Sequence, residues 1–221
     1  PMERLKEDIL DLGQADGHVL IEGETGTGKT LVAHALHAVG ARASKKFVLV
    51  SCSAFDEDTL TRRIFGPAQD DEPIPAIEEA RGGTLVLEDI EALSHALQAR
   101  LLTAINEQGA PAETRILAIC NLQEQDKTCE SVLRPDLFYR LAALRINVPP
   151  LRKRADDVIE LGVHFLQRFN QETGRKVRGF TSEAVDQMRR HRWPGNIREL
   201  KNVIERAVVL TRSEFIGAGD L

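Results

Sequence analysis

Short apolar runs alternate with helical periodicity over the first two thirds of the chain. The runs are rich in β-branched residues, and they are HVLIE (18–22), FVLV (47–50), TLVL (84–87), RILAIC (115–120) and LRINVPPL (144–151). Runs this short and this uniformly apolar are typical of strands buried on both faces. Helical patterns separate them at 29–39, 57–64 and 94–108. The alternation predicts an α/β domain with a doubly wound parallel sheet.

The pattern changes to helices alone after Pro149 and Pro150, which break off the fifth run. Apolar residues then recur three or four positions apart, as they do on one face of a helix. One such stripe is Val158, Leu161, Phe165 and Phe169, and another is Ile197, Leu200, Ile204 and Val208. A further helix is expected over 181–191. We therefore divide the chain near residue 150 into an α/β domain (1–150) and a small all-helical domain (151–221).

The composition is that of an ordinary globular protein. Of the 221 residues, 42% are hydrophobic and 29% are charged, which supplies ample apolar surface for a core and excludes a disordered chain. The net charge of −5 argues against these residues wrapping nucleic acid, since that affinity comes mainly from neutralising phosphates. No apolar run approaches the roughly 18 residues of a membrane span, and no signal-peptide pattern opens the chain. We expect a cytoplasmic protein without membrane contact.

Cys52, Cys120 and Cys129 are the cysteines of the chain. Their number is odd and their spacing is not that of a metal site, so the sequence predicts neither a disulfide framework nor bound zinc. Cys52 and Cys120 each end an apolar run, and we expect them to be small buried residues.

GETGTGKT, residues 23–30, fits the pattern G-x-x-x-x-G-K-[ST] between a predicted strand and a predicted helix. In such a loop the backbone N–H groups close around phosphate oxygens, a lysine adds charge at the terminal phosphates, and a threonine can hold Mg²⁺. The alternative is a chance glycine turn, which the strand–loop–helix setting disfavours. We predict nucleotide binding by the whole stretch: Gly23, Glu24, Thr25, Gly26, Thr27, Gly28, Lys29 and Thr30.

Five motifs together resemble one family, the central AAA+ domain of bacterial enhancer-binding proteins, the NtrC-type activators of sigma-54 RNA polymerase. They are GETGTGKT (23–30), GGTLVLEDIEAL (82–93), LRPDLFYRL (133–141), PPLRKRADDV (149–158) and WPGNIRELKNVIERAV (193–208). The resemblance covers nearly the whole chain and implies a P-loop NTPase fold with a helical lid, which binds ATP and Mg²⁺. It also implies a homo-oligomeric ring, usually a hexamer, with RNA polymerase or its sigma factor as partner. DNA would be bound by a helix-turn-helix domain outside these residues.

Four further residues gain a role only through this resemblance. Arg134 and Arg140 match the arginine fingers, which neutralise phosphoryl charge in the neighbouring subunit's site. Alternatively, these arginines lie on a surface helix, where they pair with Asp136 or are solvated. Asn121 matches the sensor of the γ-phosphate, or else it caps a strand end. Arg198 matches the second sensor on the nucleotide, or else it is solvated.

The acidic pair departs from the family, in which aspartate precedes glutamate. Here Glu88 comes first, as the expected Mg²⁺ ligand beside Thr30, and Asp89 stands where the family has the acid that orients the attacking water. Each carboxylate keeps its direction but changes its reach by a methylene. A misplacement of about 1 Å can lower a rate on the order of a hundredfold. Ser51 stands where the family usually has an asparagine that restrains the catalytic glutamate. Because serine is shorter than asparagine and Asp89 is shorter than glutamate, the two changes can compensate each other, and weak hydrolysis remains open.

The loop with which the family grips sigma-54 carries Gly-Ala-Phe-Thr-Gly-Ala, and this motif does not occur in the sequence. Between Phe65-Gly66 and Gly82 the chain has PAQDDEPIPAIEEAR (67–81), with three prolines and an acidic cluster. We therefore expect no sigma-54 contact through the usual loop.

Two functions remain open from the sequence. The first is an ATP-responsive assembly domain of a transcription regulator with weak or lost hydrolysis, which the acid order and the missing loop motif favour. The second is an active ring ATPase that remodels sigma-54 RNA polymerase, which the retained Arg134, Arg140 and Asn121 favour. The sequence also leaves open a signalling nucleotide in place of ATP.

Overall fold

The computed structural model describes residues 2–66, 74–107, 114–122 and 128–221. These residues divide into two units. The first, here called the α/β unit, contains Met2–Gly23 and Gly28–Val148. The second, here called the lid unit, contains Pro149–Leu221 together with Glu24–Thr27 of the phosphate loop. The sequence division near residue 150 did not anticipate that four loop residues group with the lid.

A parallel sheet forms the centre of the α/β unit. Its strands are β1 (Val19–Glu24), β2 (Phe47–Ser51), β3 (Thr84–Glu88), β4 (Arg115–Leu122) and β5 (Leu144–Asn147). They lie in the order β2-β3-β4-β1-β5, so the chain crosses over between non-adjacent strands, as the predicted doubly wound sheet requires. The register sets Ser51 beside Glu88, which brings the carboxyl ends of β2 and β3 to one edge.

Helices alternate with these strands along the chain. They are α1 (Met2–Gln14), α2 (Lys29–Val39), α3 (Glu57–Phe65), α4 (Ala76–Glu79), α5 (His95–Glu107), α6 (Cys129–Val132) and α7 (Pro135–Leu141). Helices α2, α3 and α5 agree with the helical patterns of the sequence. Helix α1 was not predicted, although its Met2, Leu5, Ile9 and Leu12 share one face and pack in a core cluster of the sheet.

Both faces of the sheet are covered, which explains its uninterrupted apolar runs. Leu85 and Leu87 of β3 belong to one core cluster, while Val86 between them belongs to another. Successive strand residues point to opposite faces, so every position of β3 from Thr84 to Leu87 is buried. Each buried leucine or valine contributes about 1.5–3 kcal/mol.

Part of the segment 67–81 is packed into this core. Of residues 67–81, positions 67–73 lie outside the described residues. Helix α4 follows, and both Ala76 and Ala80 are fully buried. The Arg63 side chain donates hydrogen bonds to Ile74 O at 3.0 Å and to Glu79 Oε2 at 3.3 Å. The PAIEEA end of the segment is therefore an anchored element of the fold, for which the sequence predicted no secondary structure.

The structure corrects the prediction for the cysteines. Cys120 at the end of β4 and Cys129 at the start of α6 form a disulfide, with Cα atoms 6.3 Å apart. Both are buried in the cluster that also holds Cys52, which is free. Sequence spacing gives no information on such tertiary proximity, and the expectation of no disulfide was therefore wrong.

The lid unit is built from α8 (Ala155–Thr173), α9 (Ser182–Arg190) and α10 (Asn196–Leu210). Val158, Phe165 and Phe169 of the first predicted stripe are buried in its core. The Trp193 indole N–H donates to Met188 O at 2.8 Å, which links the end of α9 to the turn before α10. A parallel pair of two-residue strands, β6 (Gly179–Phe180) and β7 (Phe215–Ile216), was too short to leave a pattern in the sequence. No helix in the part of the chain that the structure describes is long and apolar enough to cross a membrane.

Candidate phosphate-loop and acidic site

Two glycines of the phosphate loop have left-handed backbone conformations. Gly26 has φ +78° and Gly28, which precedes α2, has φ +99°. A β-carbon on Gly26 would lie 2.5 Å from Gly195 O, closer than any real contact allows. Glycine at these positions leaves the loop backbone bare, as close approach of phosphate requires.

Lys29 begins α2 and is 5% exposed. Its Nζ donates a hydrogen bond to Gly23 O at 2.8 Å, across the base of the loop. In the lid-unit portion of the loop, Thr27 Oγ1 donates to Glu24 O at 2.8 Å. Side chains of the loop thus hydrogen-bond to its own backbone, and the first N–H groups of α2 and the Lys29 charge are groups of the kind that can bind phosphate.

Thr30 and Glu88, the two predicted Mg²⁺ ligands, are brought together within the α/β unit. The Thr30 hydroxyl donates a short hydrogen bond to Glu88 Oε1. No group of three or more His, Cys, Asp or Glu side chains is arranged to hold a metal among the described residues. Mg²⁺ needs no such group, because it usually binds one or two protein oxygens and completes its shell with substrate phosphates and water.

Asp89 follows directly after β3 and has φ +56°, a conformation in which aspartate is over-represented. Its carboxylate accepts from three side chains: Ser51 Oγ at 3.4 Å, and Ser53 Oγ and Asn121 Nδ2 through short hydrogen bonds. Ser51 was predicted as the partner of this acid. Ser53 was missed, although it follows β2 at the same sheet edge. The structure therefore brings Asp89, Ser51 and the predicted sensor Asn121 together.

Glu91 adds a third carboxylate to Glu88 and Asp89, and no role was predicted for it from the sequence. Its Oε1 accepts from Asn121 Nδ2 at 3.0 Å, and its Oε2 accepts the backbone N–H of Asn121 at 3.2 Å. Burial raises the pKa of the nearby Cys52 thiol to about 12, and the charges of Asp89, Glu91 and Glu88 add to this effect. Three acids therefore lie near the same end of the sheet.

Arg134 and Arg140 lie apart from these groups in the described chain. Arg134 pairs with Asp136 through two hydrogen bonds of 3.1 and 2.8 Å, which lower the pKa of Asp136. Its backbone N–H donates to Gln98 Oε1 at 2.7 Å. Arg140 is exposed on α7. Within one chain both arginines match the surface alternative, and a finger role would require a neighbouring subunit.

Within the lid unit, three residues that the sequence did not single out hold loop residues 24–27. Asn196 is fully buried, and its Nδ2 donates to Thr25 O at 3.0 Å and to Glu24 Oε2 at 3.2 Å. Arg152 pairs with Glu24 at 2.6 and 2.7 Å and is the main cause of a lowered Glu24 pKa. Arg154 Nη2 donates to Thr27 O at 2.9 Å. All three lie in motifs quoted for the family, PPLRKRADDV and WPGNIREL.

Arg198 lies in the first turn of α10 and lines an open cavity of about 460 Å³ in the lid unit. The same cavity is lined by Thr25 of the phosphate loop and by Asn202 and Arg206 on the next turns of α10. The predicted second sensor and a predicted nucleotide-binding residue thus share one cavity.

Comparison with known proteins covers the whole chain. The sigma-54 interaction domain family matches residues 1–147, and the AAA+ ATPase lid domain family matches residues 152–221. The transcriptional regulatory protein ZraR of Klebsiella oxytoca is 39% identical over 235 residues, covering 100% of this chain and 53% of ZraR. The alginate biosynthesis transcriptional regulatory protein AlgB of Pseudomonas putida is 38% identical over 230 residues, covering 97% of this chain and 51% of AlgB. The chain therefore spans about half the length of these relatives.

Among solved structures, NtrX from Brucella abortus in complex with ATP superposes with a TM-score of 0.90 at 30% identity, covering 100% of this chain and 54% of NtrX. A second NtrX structure, in complex with ADP, matches equally well over 53% of its length. The five-stranded parallel sheet, the phosphate loop, the motif order and the helical lid agree with these matches. The chain therefore belongs to the sigma-54 interaction domain family, the AAA+ P-loop NTPase domain of bacterial enhancer-binding regulators, and carries the family's helical lid.

Proposed function

We propose that this chain is the ATP-binding assembly domain of a cytoplasmic bacterial transcription regulator and hydrolyses ATP slowly or not at all. The observation that carries the proposal is the setting of Asp89, a short carboxylate at the hydrolytic position that accepts from Ser51, Ser53 and Asn121. Nucleotide binding is supported by the form of the phosphate loop and by the ATP and ADP complexes of the similar NtrX.

ATP would be held by the loop from Gly23 to Thr30, with Asn121 and Arg198 as sensors of its phosphates. Thr30 and Glu88 would hold Mg²⁺, which neutralises charge on the β- and γ-phosphates when bound. Gly26 must be glycine in this loop, because a β-carbon there would clash with Gly195 O. Lys29 would exchange its hydrogen bond to Gly23 O for phosphate oxygens.

Slow hydrolysis follows from the reach of Asp89 and from its hydrogen bonds. A water-orienting carboxylate needs an oxygen at the right distance from the γ-phosphate. The hydrogen bonds from Ser51 and Asn121 restrain both oxygens of Asp89, and its side chain is one methylene shorter than glutamate. Positioning dominates phosphoryl transfer, so a displacement of this size costs on the order of a hundredfold in rate.

Assembly would bring Arg134 and Arg140 to the nucleotide of a neighbouring copy, since such fingers act across a subunit boundary. A ring, with six members as the family suggests, would serve RNA polymerase or a sigma factor, with DNA bound by a domain outside these residues. The usual sigma-54 loop motif does not occur in 67–81, and the end of that segment is packed as α4. Contact with sigma-54 would therefore use other residues.

An active ring ATPase that remodels sigma-54 RNA polymerase is the second candidate. One observation favours it: the short side chains of Ser51 and Ser53 are within hydrogen-bond reach of Asp89, which is itself shorter than glutamate. The serine and the aspartate would then compensate each other, and turnover would be ordinary.

Nucleotide binding is tested by titrating a fluorescent ATP analogue into the purified domain with Mg²⁺. We expect Lys29→Ala to abolish binding, because the substitution removes the buried positive charge that would bind the phosphates. The matched control is Lys45→Ala, which removes an exposed lysine outside the loop and should bind as the wild type does. Unchanged affinity of Lys29→Ala would refute the assignment of the loop.

A further inference from the structure

The side-chain amide of Asn121 has no N–H left to donate in this structure. An asparagine Nδ2 carries two N–H donors. One is directed to Asp89 Oδ1 and the other to Glu91 Oε1, the latter at 3.0 Å. The opposite amide orientation would turn Oδ1 towards two carboxylates, which is repulsive. Both donors are therefore committed to acids.

Glu91 contacts Asn121 at two points. It accepts a hydrogen bond from the Asn121 side-chain amide, and it also accepts one from the backbone N–H of Asn121 at 3.2 Å. Asp89 accepts from the side chain alone. Glu91 therefore fixes the Asn121 main chain and the direction of its amide together, from the short helical turn Ile90–Ala92 that follows β3.

A γ-phosphate can be sensed by Asn121 only if an N–H turns from a carboxylate to a phosphate oxygen. ADP has no such oxygen and leaves both carboxylate contacts in place. We propose that Glu91 is a positioning residue that competes with the terminal phosphate of a nucleoside triphosphate for the Asn121 amide, and so sets the preference between ATP and ADP. This inference rests on the proposed nucleotide binding.

The test measures the ratio of ADP to AMP-PNP dissociation constants, with Mg²⁺, by displacement of fluorescent ADP. AMP-PNP is a non-hydrolysable ATP analogue, so slow turnover does not affect the result. Glu91→Ala should raise the preference for AMP-PNP about fivefold or more, as expected for removing a competing charged hydrogen bond. ADP affinity should stay within about twofold of the wild type on the same principle.

Two further variants separate the proposed competition from simple charge repulsion between Glu91 and the nucleotide. Glu91→Asp keeps the charge but shortens the reach, so it should behave like Glu91→Ala. In an Asn121→Ala background, Glu91→Ala should leave the ratio unchanged, because the amide through which it acts is gone. Glu79→Ala, which removes an acid paired with Arg63, is the control for a general loss of carboxylate.

The outcomes are distinct. A raised ratio in Glu91→Ala and Glu91→Asp that disappears without Asn121 supports the competition. A wild-type ratio in Glu91→Asp, or an equal rise in the Asn121→Ala background, overturns it in favour of repulsion. A ratio unchanged in Glu91→Ala overturns it while nucleotide binding stands. Failure of the wild type to bind either nucleotide overturns the proposed function and this inference together.

Discussion

Three side chains donate hydrogen bonds to the Asp89 carboxylate and restrain its position. Ser51 and Ser53 approach it from the end of β2 and Asn121 approaches it from β4. The sequence identified Ser51 and Asn121 because they occupy known motif positions. Ser53 and Glu91 were missed, because their contacts depend on the turns after β2 and β3, which periodicity does not describe.

Glu24 gives a residue-scale prediction on pH. Pairing with Arg152 lowers the pKa of Glu24 below its ordinary value of 4.5, so the ionised form stabilises the lid unit. That contribution is present above 4.5 and is lost as the pH falls through the lowered folded-state pKa. Without nucleotide, we expect Glu24→Gln to unfold at a lower temperature than the wild type near neutral pH.

The difference between the two melting temperatures should shrink as the pH is lowered below 4.5. The control is Glu214→Gln, which breaks the exposed pair with Arg178 and should show a small difference throughout. A difference for Glu24→Gln that does not change with pH would contradict the ion-pair explanation.

At the scale of elements, the sequence was most informative where apolar residues form a pattern. All five predicted strands and the helices α2, α3, α5 and α9 are present, with bounds within a few residues. Helices α8 and α10 contain the two predicted apolar stripes. Helix α4 was not predicted, because it has only 4 residues and follows directly after a segment with three prolines. Strands β6 and β7 have two residues each and carry no periodicity. The Cys120–Cys129 disulfide depends on the packing of β4 against α6, which no local pattern contains.

This disulfide gives a prediction at the same scale. It closes a loop with a sequence separation of 9, between the strand that ends near Asn121 and the helix that precedes Arg134. Loop-closure entropy for that length gives about 2.6 kcal/mol of stabilisation. Urea unfolding of the domain with and without dithiothreitol should differ by roughly this free energy. A Cys120→Ser, Cys129→Ser double variant should be insensitive to the reductant, and an equally insensitive wild type would show that the bond does not form.

At the scale of the whole molecule, the chain joins an α/β unit and a lid unit, with the phosphate loop divided between them. Lid residues Arg152, Arg154 and Asn196 bind the portion of the loop from Glu24 to Thr27. The acids and Asn121 belong to the α/β unit.

The central claim is that the order Glu88-Asp89 slows hydrolysis, and steady-state ATP turnover tests it most directly. The wild type, Glu88→Asp with Asp89→Glu, and the same pair with Ser51→Asn are compared at saturating ATP and Mg²⁺ over a range of protein concentrations. Each variant is also measured with Lys29→Ala added, and the remaining turnover, which comes from any contaminating enzyme, is subtracted. We predict slow wild-type turnover and a rise on the order of a hundredfold when the acids are reversed. Wild-type turnover as fast as that of the reversed variants would contradict the account, and rapid turnover in all of them would favour the active ring ATPase.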